Sequence, residues 1–149
     1  YESVNKWFNL NIESPYMLLV SEINNDNKIK ENIEELKDKN FLENLYLKRS
    51  NIPAVTHVDY SARIQTVHEE TNKKYYKLIK KFKEKTNCPV LINTSFNIRG
   101  EPIVQSPSDA FNCFMGTDLD TLVIGNFYLD KKFQDPNLKN NYIDQFELD

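Results

Sequence analysis

Short apolar runs alternate with helix-forming segments along most of this chain, and that alternation restricts the fold more than any other feature. Residues 15–23 (PYMLLVSEI) and 121–129 (TLVIGNFYL) are apolar runs bounded by turn-forming residues, which is typical of strands. Residues 89–94 (PVLINT) form a continuous apolar run of the kind expected for a buried central strand. Alternating patterns predict further strands over residues 54–59 and 63–68. Strands alternating with helices predict the α/β class, with a mixed twisted sheet and flanking helices.

Two helices are predicted between these runs. The first covers residues 72–86, where apolar side chains recur at helical spacing and lysines occupy the opposite side. The second begins with Ser106 as N-cap, Pro107 at the first helical position and Asp109 facing the positive end of the helix. It is predicted to end near Gly116, because glycine readily adopts the backbone conformation that closes a helix.

The remaining segments are polar and are placed outside the sheet. The chain has 149 residues, the length of one domain, and residues 1–149 are interpreted as a single, partial domain without repeats or linkers. Residues 24–50 are rich in charge and are predicted to be a variable surface excursion. Ile29, Ile33 and Leu36 recur there at helical spacing and indicate a surface helix. Residues 132–149 are interpreted as a loose, acidic and polar C-terminal tail.

Charge and composition exclude several classes of function. The formal net charge is −3, whereas binding to a nucleic-acid backbone needs a concentrated positive surface, so no nucleic-acid partner is predicted. No apolar run reaches the ~18 residues that span a bilayer, so no membrane association is predicted. Cys88 and Cys113 are interpreted as reduced thiols in a cytoplasmic protein. His57 and His68 have no cysteine or carboxylate cluster beside them, so no metal site is predicted.

A polar cluster follows the apolar run at 89–94 without a break. Small-molecule sites in α/β sheets form beyond the carboxyl ends of strands, where backbone amides are free. The cluster offers hydroxyls, carboxamides and one guanidinium, a set that suits a planar anionic ligand with several hydrogen-bonding groups. Its members are Asn93, Thr94, Ser95, Asn97 and Arg99. A plain turn after the strand is the alternative, and the residues alone leave it open.

Arg63 is the second candidate for anion binding. Arginine occurs only at positions 49, 63 and 99 against a strong lysine bias, so each arginine is a candidate for a site that needs the planar guanidinium. Asp59 and Arg63 flank a predicted tight turn between two strands. A structural Asp–Arg pair and an arginine that binds phosphate or carboxylate are both compatible with this spacing.

Several ordered motifs together resemble one enzyme family. Residues 53–67 (PAVTHVDYSARIQTV), 88–114 (CPVLINTSFNIRGEPIVQSPSDAFNCF) and 119–131 (LDTLVIGNFYLDK), preceded by ESPYML at 13–18, follow a common pattern. The pattern resembles the C-terminal domain of the O-carbamoyltransferases of the nodulation-factor and tobramycin type. The resemblance extends over residues 13–131, with a divergent stretch at about 24–50.

The resemblance implies a fold and an activity. The C-terminal domain of this family has a YrdC-like fold and converts carbamoyl phosphate and ATP, which brings Mg²⁺, into carbamoyl-adenylate. The N-terminal, actin-like domain of the same chain then transfers the carbamoyl group to an acceptor hydroxyl. Carbamoyl phosphate, ATP and that missing domain are therefore the expected partners, and a homodimer is left open.

The resemblance also assigns roles to residues. Ser95 and Asn97 match the Ser-x-Asn element of the synthase site, and Arg63 matches an arginine expected to contact carbamoyl phosphate or the triphosphate. Arg99 matches an arginine that either binds ligand or orders its loop through Glu101. Arg63 and Ser95 are accordingly the candidate catalytic residues, with Ser95 as a binding group and not a nucleophile. Asn93, Thr94, Asn97 and Arg99 complete the candidate binding set.

The sequence departs from the family pattern at two places. Family members carry an arginine motif and a lysine motif before ESPYML, and neither is present here. Since the chain also begins at Tyr1 and not at methionine, we interpret it as a fragment that is inactive alone, although a processed terminus would look the same. Tyr60 replaces the glycine that follows the family's aspartate. A nucleotide- or anion-binding module, or an interaction module without catalysis, remains the alternative function.

Overall fold

A computed structural model describes residues 1–29, 40–139, 142 and 146 of the chain. It divides into two compact units, Tyr1–Ile92 and Asn93–Asp149. The first unit contains α1 (Val4–Trp7), β1 (Leu19–Glu22), α2 (Phe41–Leu45), β2 (Ser61–Ile64) and α3 (Lys73–Thr86). The second contains α4 (Pro107–Gly116), β3 (Thr121–Ile124) and β4 (Phe127–Asp130). The predicted combination of helices and strands in one mixed α/β chain is confirmed.

An antiparallel pair of strands organises the first unit. β1 and β2 pair with Leu19 opposite Ile64 and Val20 opposite Arg63. Because successive side chains alternate between faces, Ile64 and Ala62 point into the core, whereas Arg63 lies on the outer face. The core packed against the inner face consists of the buried residues Phe8, Leu10, Ile23, Ile52, Ala62 and Ile64.

Ser14 fastens the segment before β1 to the sheet. Its hydroxyl donates to the carbonyl of Ile64 at 2.8 Å, and its backbone N–H donates to Thr66 Oγ1 at 2.9 Å. Both Ser14 and Thr66 are buried, so these bonds satisfy groups that water cannot reach. The serine of the ESPYML motif is therefore a structural residue of this unit.

The predicted helices are confirmed, and local capping explains their bounds. In α3, the Asn72 side chain accepts from the N–H of Tyr75 at 3.2 Å, and Asn87 closes the helix in the left-handed conformation. In α4, Ser106 and Asp109 form a reciprocal capping box, with Pro107 at the first helical position. The buried face of α4 (Ala110, Cys113, Phe114 and Met115) packs in the second unit, where Ala110, Phe114 and Met115 form a core with Leu122.

Several predicted strands differ from the structure. Residues 54–59 are not a strand, since a 3-10 helix, Pro53–Val55, and a turn occupy the segment. Residues 121–129 are not one strand, because Gly125 at φ +58° turns the chain between β3 and β4. The strand predicted over 15–23 is shortened to β1, and the strand predicted over 63–68 is displaced, since β2 begins at Ser61 and ends at Ile64.

The predicted buried central strand at 89–94 is also wrong. The segment forms no ladder with any described strand, and Ile92 is 62 % exposed. Apolar and β-branched residues favour an extended backbone, but a central strand also needs a paired strand on each side. The two sheets in the described residues are two-stranded and antiparallel, and neither supplies such a neighbour. The surface helix predicted from Ile29, Ile33 and Leu36 lies largely outside the described residues.

None of the helices in the described ranges combines the length and the apolar character needed to cross a membrane.

Candidate functional site

Arg63 presents its guanidinium to solvent from the outer face of β2. The side chain is exposed, and the described residues provide it with no ion pair and no side-chain hydrogen bond. The structural Asp–Arg pair is not formed, because Asp59 instead accepts from the backbone N–H and the hydroxyl of Ser61 at 3.0 and 2.6 Å. The interpretation of Asp59 and Arg63 as a structural pair is therefore wrong, and anion binding by Arg63 stays a prediction.

The turn before β2 is strained at Tyr60, which has φ +63°. A left-handed non-glycine residue costs about 1–3 kcal/mol, and surrounding contacts must hold it in place. The N–H of Tyr60 donates to the carbonyl of His57, and the N–H of His57 donates to the carbonyl of Ser61. Lys28 Nζ lies 5.6 Å from the centroid of the Tyr60 ring. Tyr60, which replaces a glycine of the resembled pattern, thus adopts a conformation that glycine reaches without strain.

Asp59 completes this turn. The hydrogen bond from the Ser61 hydroxyl, followed by the one from the Ser61 N–H, lowers the pKa of the Asp59 carboxyl below its ordinary value. Asp59 is therefore an ionised acceptor near neutral pH, and it fixes the position of the Ser61 hydroxyl beside the strand that carries Arg63.

Thr94 and Ser95 present unpaired hydroxyls at the start of the second unit. Both residues are exposed, and within the described ranges neither hydroxyl has a hydrogen-bond partner. Phe96 anchors them, since its ring packs against the second core and its carbonyl accepts from the N–H of Val104 at 3.0 Å. Asn93 is exposed and lies directly before them. Both hydroxyls are thus exposed to solvent, and their use in ligand binding stays a prediction.

Asn97 braces the loop that follows. Its side-chain nitrogen donates to the carbonyl of Glu101 at 2.8 Å and to that of Ile98 at 3.1 Å. Gly100 adopts φ +80°, which allows the chain to turn back so that the Glu101 N–H reaches the Ile98 carbonyl. Arg99 is exposed at the tip of this turn. The amide nitrogen of Asn97 is thus used inside the loop, and ligand binding by Asn97 and Arg99 stays a prediction.

The contact between Glu101 and Tyr142 was not predicted from the sequence. The Glu101 carboxylate is buried, accepts from the N–H of Ile98 at 2.8 Å and accepts from the Tyr142 hydroxyl. Tyr142 is 6 % exposed although it belongs to the segment predicted to be a loose tail, and burial raises the pKa of its phenol. The apolar residues of that segment, Tyr142, Ile143 and Phe146, were the available indication in the sequence. The bond ties the tail to the loop that bears Asn97.

Cys113 lies beside this contact. The thiol is 2 % exposed, and burial, followed by the charge of Glu101, raises its pKa. A protonated, inaccessible thiol is not a nucleophile, so Cys113 is a structural residue.

Arg49, unlike Arg63 and Arg99, has a buried side chain. It donates to the carbonyls of Asn44 and Leu45, the last two residues of α2, at 2.6 and 3.4 Å, and to that of Leu47 at 3.3 Å. The fork of a guanidinium can satisfy several helix-terminal carbonyls together, which a single ammonium cannot do as well. Arg49 therefore has a structural role.

The candidate residues are distributed between the two units. Arg63 belongs to the first unit, and Asn93, Thr94, Ser95, Asn97 and Arg99 belong to the second. Within the described ranges, no three histidine, cysteine, aspartate or glutamate side chains are grouped as metal ligands would be.

Comparisons with known proteins identify related sequences. The family model described as carbamoyltransferase C-terminus matches residues 1–131. A protein of Synechocystis sp., sll1178, is 47 % identical over 150 residues, which cover 99 % of this chain and 24 % of that protein. The nodulation protein NolO of Bradyrhizobium diazoefficiens is 48 % identical over 99 residues, 66 % of this chain and 18 % of NolO.

A third relative carries an enzyme name. The 3'-hydroxymethylcephem-O-carbamoyltransferase of Amycolatopsis lactamdurans is 36 % identical over 86 residues, 55 % of this chain and 16 % of that enzyme. The chain thus spans about a quarter or less of the length of these three curated relatives.

Proposed function

The chain belongs to the carbamoyltransferase C-terminus family, and from this premise we propose that it is the part of an O-carbamoyltransferase that forms carbamoyl-adenylate. The substrates are carbamoyl phosphate, water and ATP accompanied by Mg²⁺, and the products are carbamoyl-adenylate, phosphate and pyrophosphate. Transfer of the carbamoyl group to an acceptor hydroxyl belongs to another domain of the same enzyme. The 149 residues alone are expected to be inactive.

The reaction requires charge neutralisation and no covalent nucleophile. Carbamoyl phosphate and water give carbamate and phosphate, after which a carbamate oxygen attacks the α-phosphorus of ATP. The bond between that phosphorus and the bridging oxygen breaks, and pyrophosphate leaves with the electron pair. Two polyanions approach one another in this step, so a guanidinium that binds both oxygens of an anion lowers the barrier. Arg63 is the candidate for that group, and Ser95 is a hydrogen-bond donor to the substrate.

One observation carries the proposal beyond family membership. In the described part of the chain, the guanidinium of Arg63 has no side-chain partner, whereas that of Arg49 is consumed by backbone carbonyls. The free hydroxyls of Thr94 and Ser95 add to it, because their loop is anchored by Phe96 while the side chains themselves are exposed. That these polar groups lack partners although their backbone is ordered supports a binding role for Arg63, Thr94 and Ser95.

The test is carbamoyl-phosphate-dependent exchange of labelled pyrophosphate into ATP by the full-length protein. Arg63→Lys keeps the charge but loses the bidentate geometry, and it should lower the exchange rate about 10-fold or more. Ser95→Ala should lower it about 3- to 10-fold through the loss of one hydrogen bond. Ser108→Ala, at an exposed serine of the same unit, is the matched control and should not change the rate.

The outcomes separate the proposal from its alternatives. Exchange that needs carbamoyl phosphate and falls in both variants supports the proposed reaction. Binding of ATP or carbamoyl phosphate without exchange would instead indicate a binding module. Unchanged carbamoylation in both variants would indicate that these loops serve only the fold or an interaction surface.

A further inference from the structure

Three polar side chains form an ordered hydrogen-bonded series beside β2. His57 Nδ1 lies 2.8 Å from Ser61 Oγ, and Ser61 Oγ lies 2.6 Å from Asp59 Oδ1. An ionised carboxylate can only accept, so the single hydroxyl proton of Ser61 must point to Asp59. The Ser61 oxygen is then left as the acceptor for His57, and Nδ1 of the imidazole must carry a proton.

This direction of hydrogen bonding fixes the tautomer of His57. In a neutral imidazole one nitrogen donates and the other accepts, and the partner of one nitrogen decides which form is present. With the proton on Nδ1, Nε2 carries the lone pair. His57 is exposed, and no group in the described residues bonds to Nε2. The turn therefore presents a hydrogen-bond acceptor to solvent at a fixed position.

The acceptor lies on the same side of the sheet as Arg63. Ser61 and Arg63 are two positions apart on β2, so their side chains share a face and their Cα atoms are separated by about 7 Å. His57 sits above Ser61 at hydrogen-bond distance. The Arg63 guanidinium and Nε2 of His57 therefore lie on the same face of β2, and neither group has a hydrogen-bond partner among the described residues.

We propose that His57 is a ligand-binding residue whose Nε2 accepts an N–H from the molecule that Arg63 binds through its anionic group. The ligand class is a small anion with a carboxamide-type NH₂ a few bonds from its charged oxygens. Asp59 and Ser61 act as positioning residues, since they hold the imidazole in the accepting tautomer. The strained left-handed Tyr60 is explained as well, because the tight turn brings His57 back over Ser61.

Carbamoyl phosphate has this arrangement of groups, and that identification rests on the proposed function. Acetyl phosphate is the matched probe, since it keeps the phosphate and the carbonyl but carries a methyl group where carbamoyl phosphate has NH₂. In the full-length protein, carbamoyl phosphate should bind about 3- to 10-fold more tightly than acetyl phosphate, the effect of one partly exposed hydrogen bond. His57→Phe should reduce this preference to within about 2-fold, and His57→Gln, whose amide oxygen can accept, should retain part of it.

A second measurement is independent of any ligand. Long-range ¹H–¹⁵N spectra at pH ~8.5, where an ordinary imidazole is neutral, should show His57 with Nδ1 protonated. Ser61→Ala should shift the ring toward the Nε2–H form that isolated imidazoles of histidine favour. His68, which lies 3.2 Å from Thr66 Oγ1 through Nε2, serves as the internal control and should not change in that variant.

The possible failures are distinguishable. A protonated Nε2 on His57 in the unaltered protein overturns the inference, whatever the protein binds. The expected tautomer together with an undiminished preference for carbamoyl phosphate in His57→Phe overturns the assignment of the ligand to His57, while the proposed function stands. If neither acyl phosphate binds, the proposed function and the ligand assignment both fail, even with the tautomer as expected.

Discussion

Substitution of Tyr142 by phenylalanine tests whether the tail is fastened to the candidate binding loop. The change removes only the hydroxyl that donates to Glu101, and it leaves the ring in its buried position against Gly116. Glu101 then keeps the N–H of Ile98 as the donor to its other oxygen. Because Cys113 lies beside both side chains and is 2 % exposed, its accessibility reports on undocking of Tyr142.

The magnitude follows from the lost bond. Leaving a buried acceptor short of a partner costs about 1–3 kcal/mol. At 1.4 kcal/mol for each factor of ten, the open population rises about 5- to 150-fold. The rate of labelling of Cys113 by a thiol reagent should rise by the same factor when opening is fast compared with labelling. The measurement is made in a Cys88→Ser background, since Cys88 is only partly buried and would also react.

Tyr128→Phe is the matched control, because that tyrosine is 70 % exposed and loses the same atom. Its labelling rate should equal that of the parent. Equal rates for Tyr142→Phe and the parent would refute the reasoning, since the tail would then not cover Cys113 through this bond.

Three further substitutions test structural residues outside the candidate binding set. Ser14→Ala removes the buried donor to the Ile64 carbonyl and should lower the free energy of unfolding by about 1–3 kcal/mol in urea titration, while an unchanged midpoint would contradict the role assigned to Ser14. Gly125→Ala places a side chain at φ +58°, where no atom lies within 4 Å of the added Cβ, so backbone strain alone should cost about 1 kcal/mol and lower the melting temperature. Ser106→Ala should raise the pKa of Asp109 toward its ordinary value in an NMR titration, because the Ser106 side chain is the main cause that lowers it. A carboxyl whose pKa is lower in the folded state stabilises the fold at pH values above its unfolded pKa of about 3.9. That stabilisation is lost as the pH falls through the folded pKa. The free energy of unfolding of Ser106→Ala should therefore depend less on pH in this range than that of the parent.

Local sequence determined the features that were predicted well. The start of α4 follows from Ser106 and Asp109, whose side chains accept from each other's backbone N–H groups, and from Pro107 at the first helical position. The ends of α3 are set by Asn72 and Asn87 in the same way. The β3–β4 hairpin was readable too, since Gly125-Asn126 is a favoured two-residue turn, but the apolar run around it was interpreted as one strand.

Long-range pairing was not predictable from one sequence. Leu19 and Ile64 are neighbours in the first sheet although 45 positions separate them, and no local pattern records that register. The predicted strand at 89–94 failed for the same reason, because apolar composition does not reveal whether a partner strand exists. The contact between Glu101 and Tyr142 likewise depends on packing of a distant segment.

The candidate site was likewise predictable only in part. The position of Ser95 in an exposed loop and that of Arg63 on a strand beside a turn agree with the sequence interpretation. Their proposed roles came from the family resemblance, not from spacing. The hydrogen-bonded series from His57 to Asp59 could not be predicted from the sequence, because only the distances to the Ser61 hydroxyl establish which nitrogen of His57 carries the proton.

Calorimetric titration of the full-length protein with carbamoyl phosphate, in the presence of ATP and Mg²⁺, tests most directly whether Arg63 binds the substrate of a carbamoyltransferase. The account predicts saturable binding that weakens about 10-fold or more in Arg63→Gln, since a charge-assisted contact is removed without disturbing any side-chain partner in the described residues. Binding of equal affinity in the two proteins would contradict it.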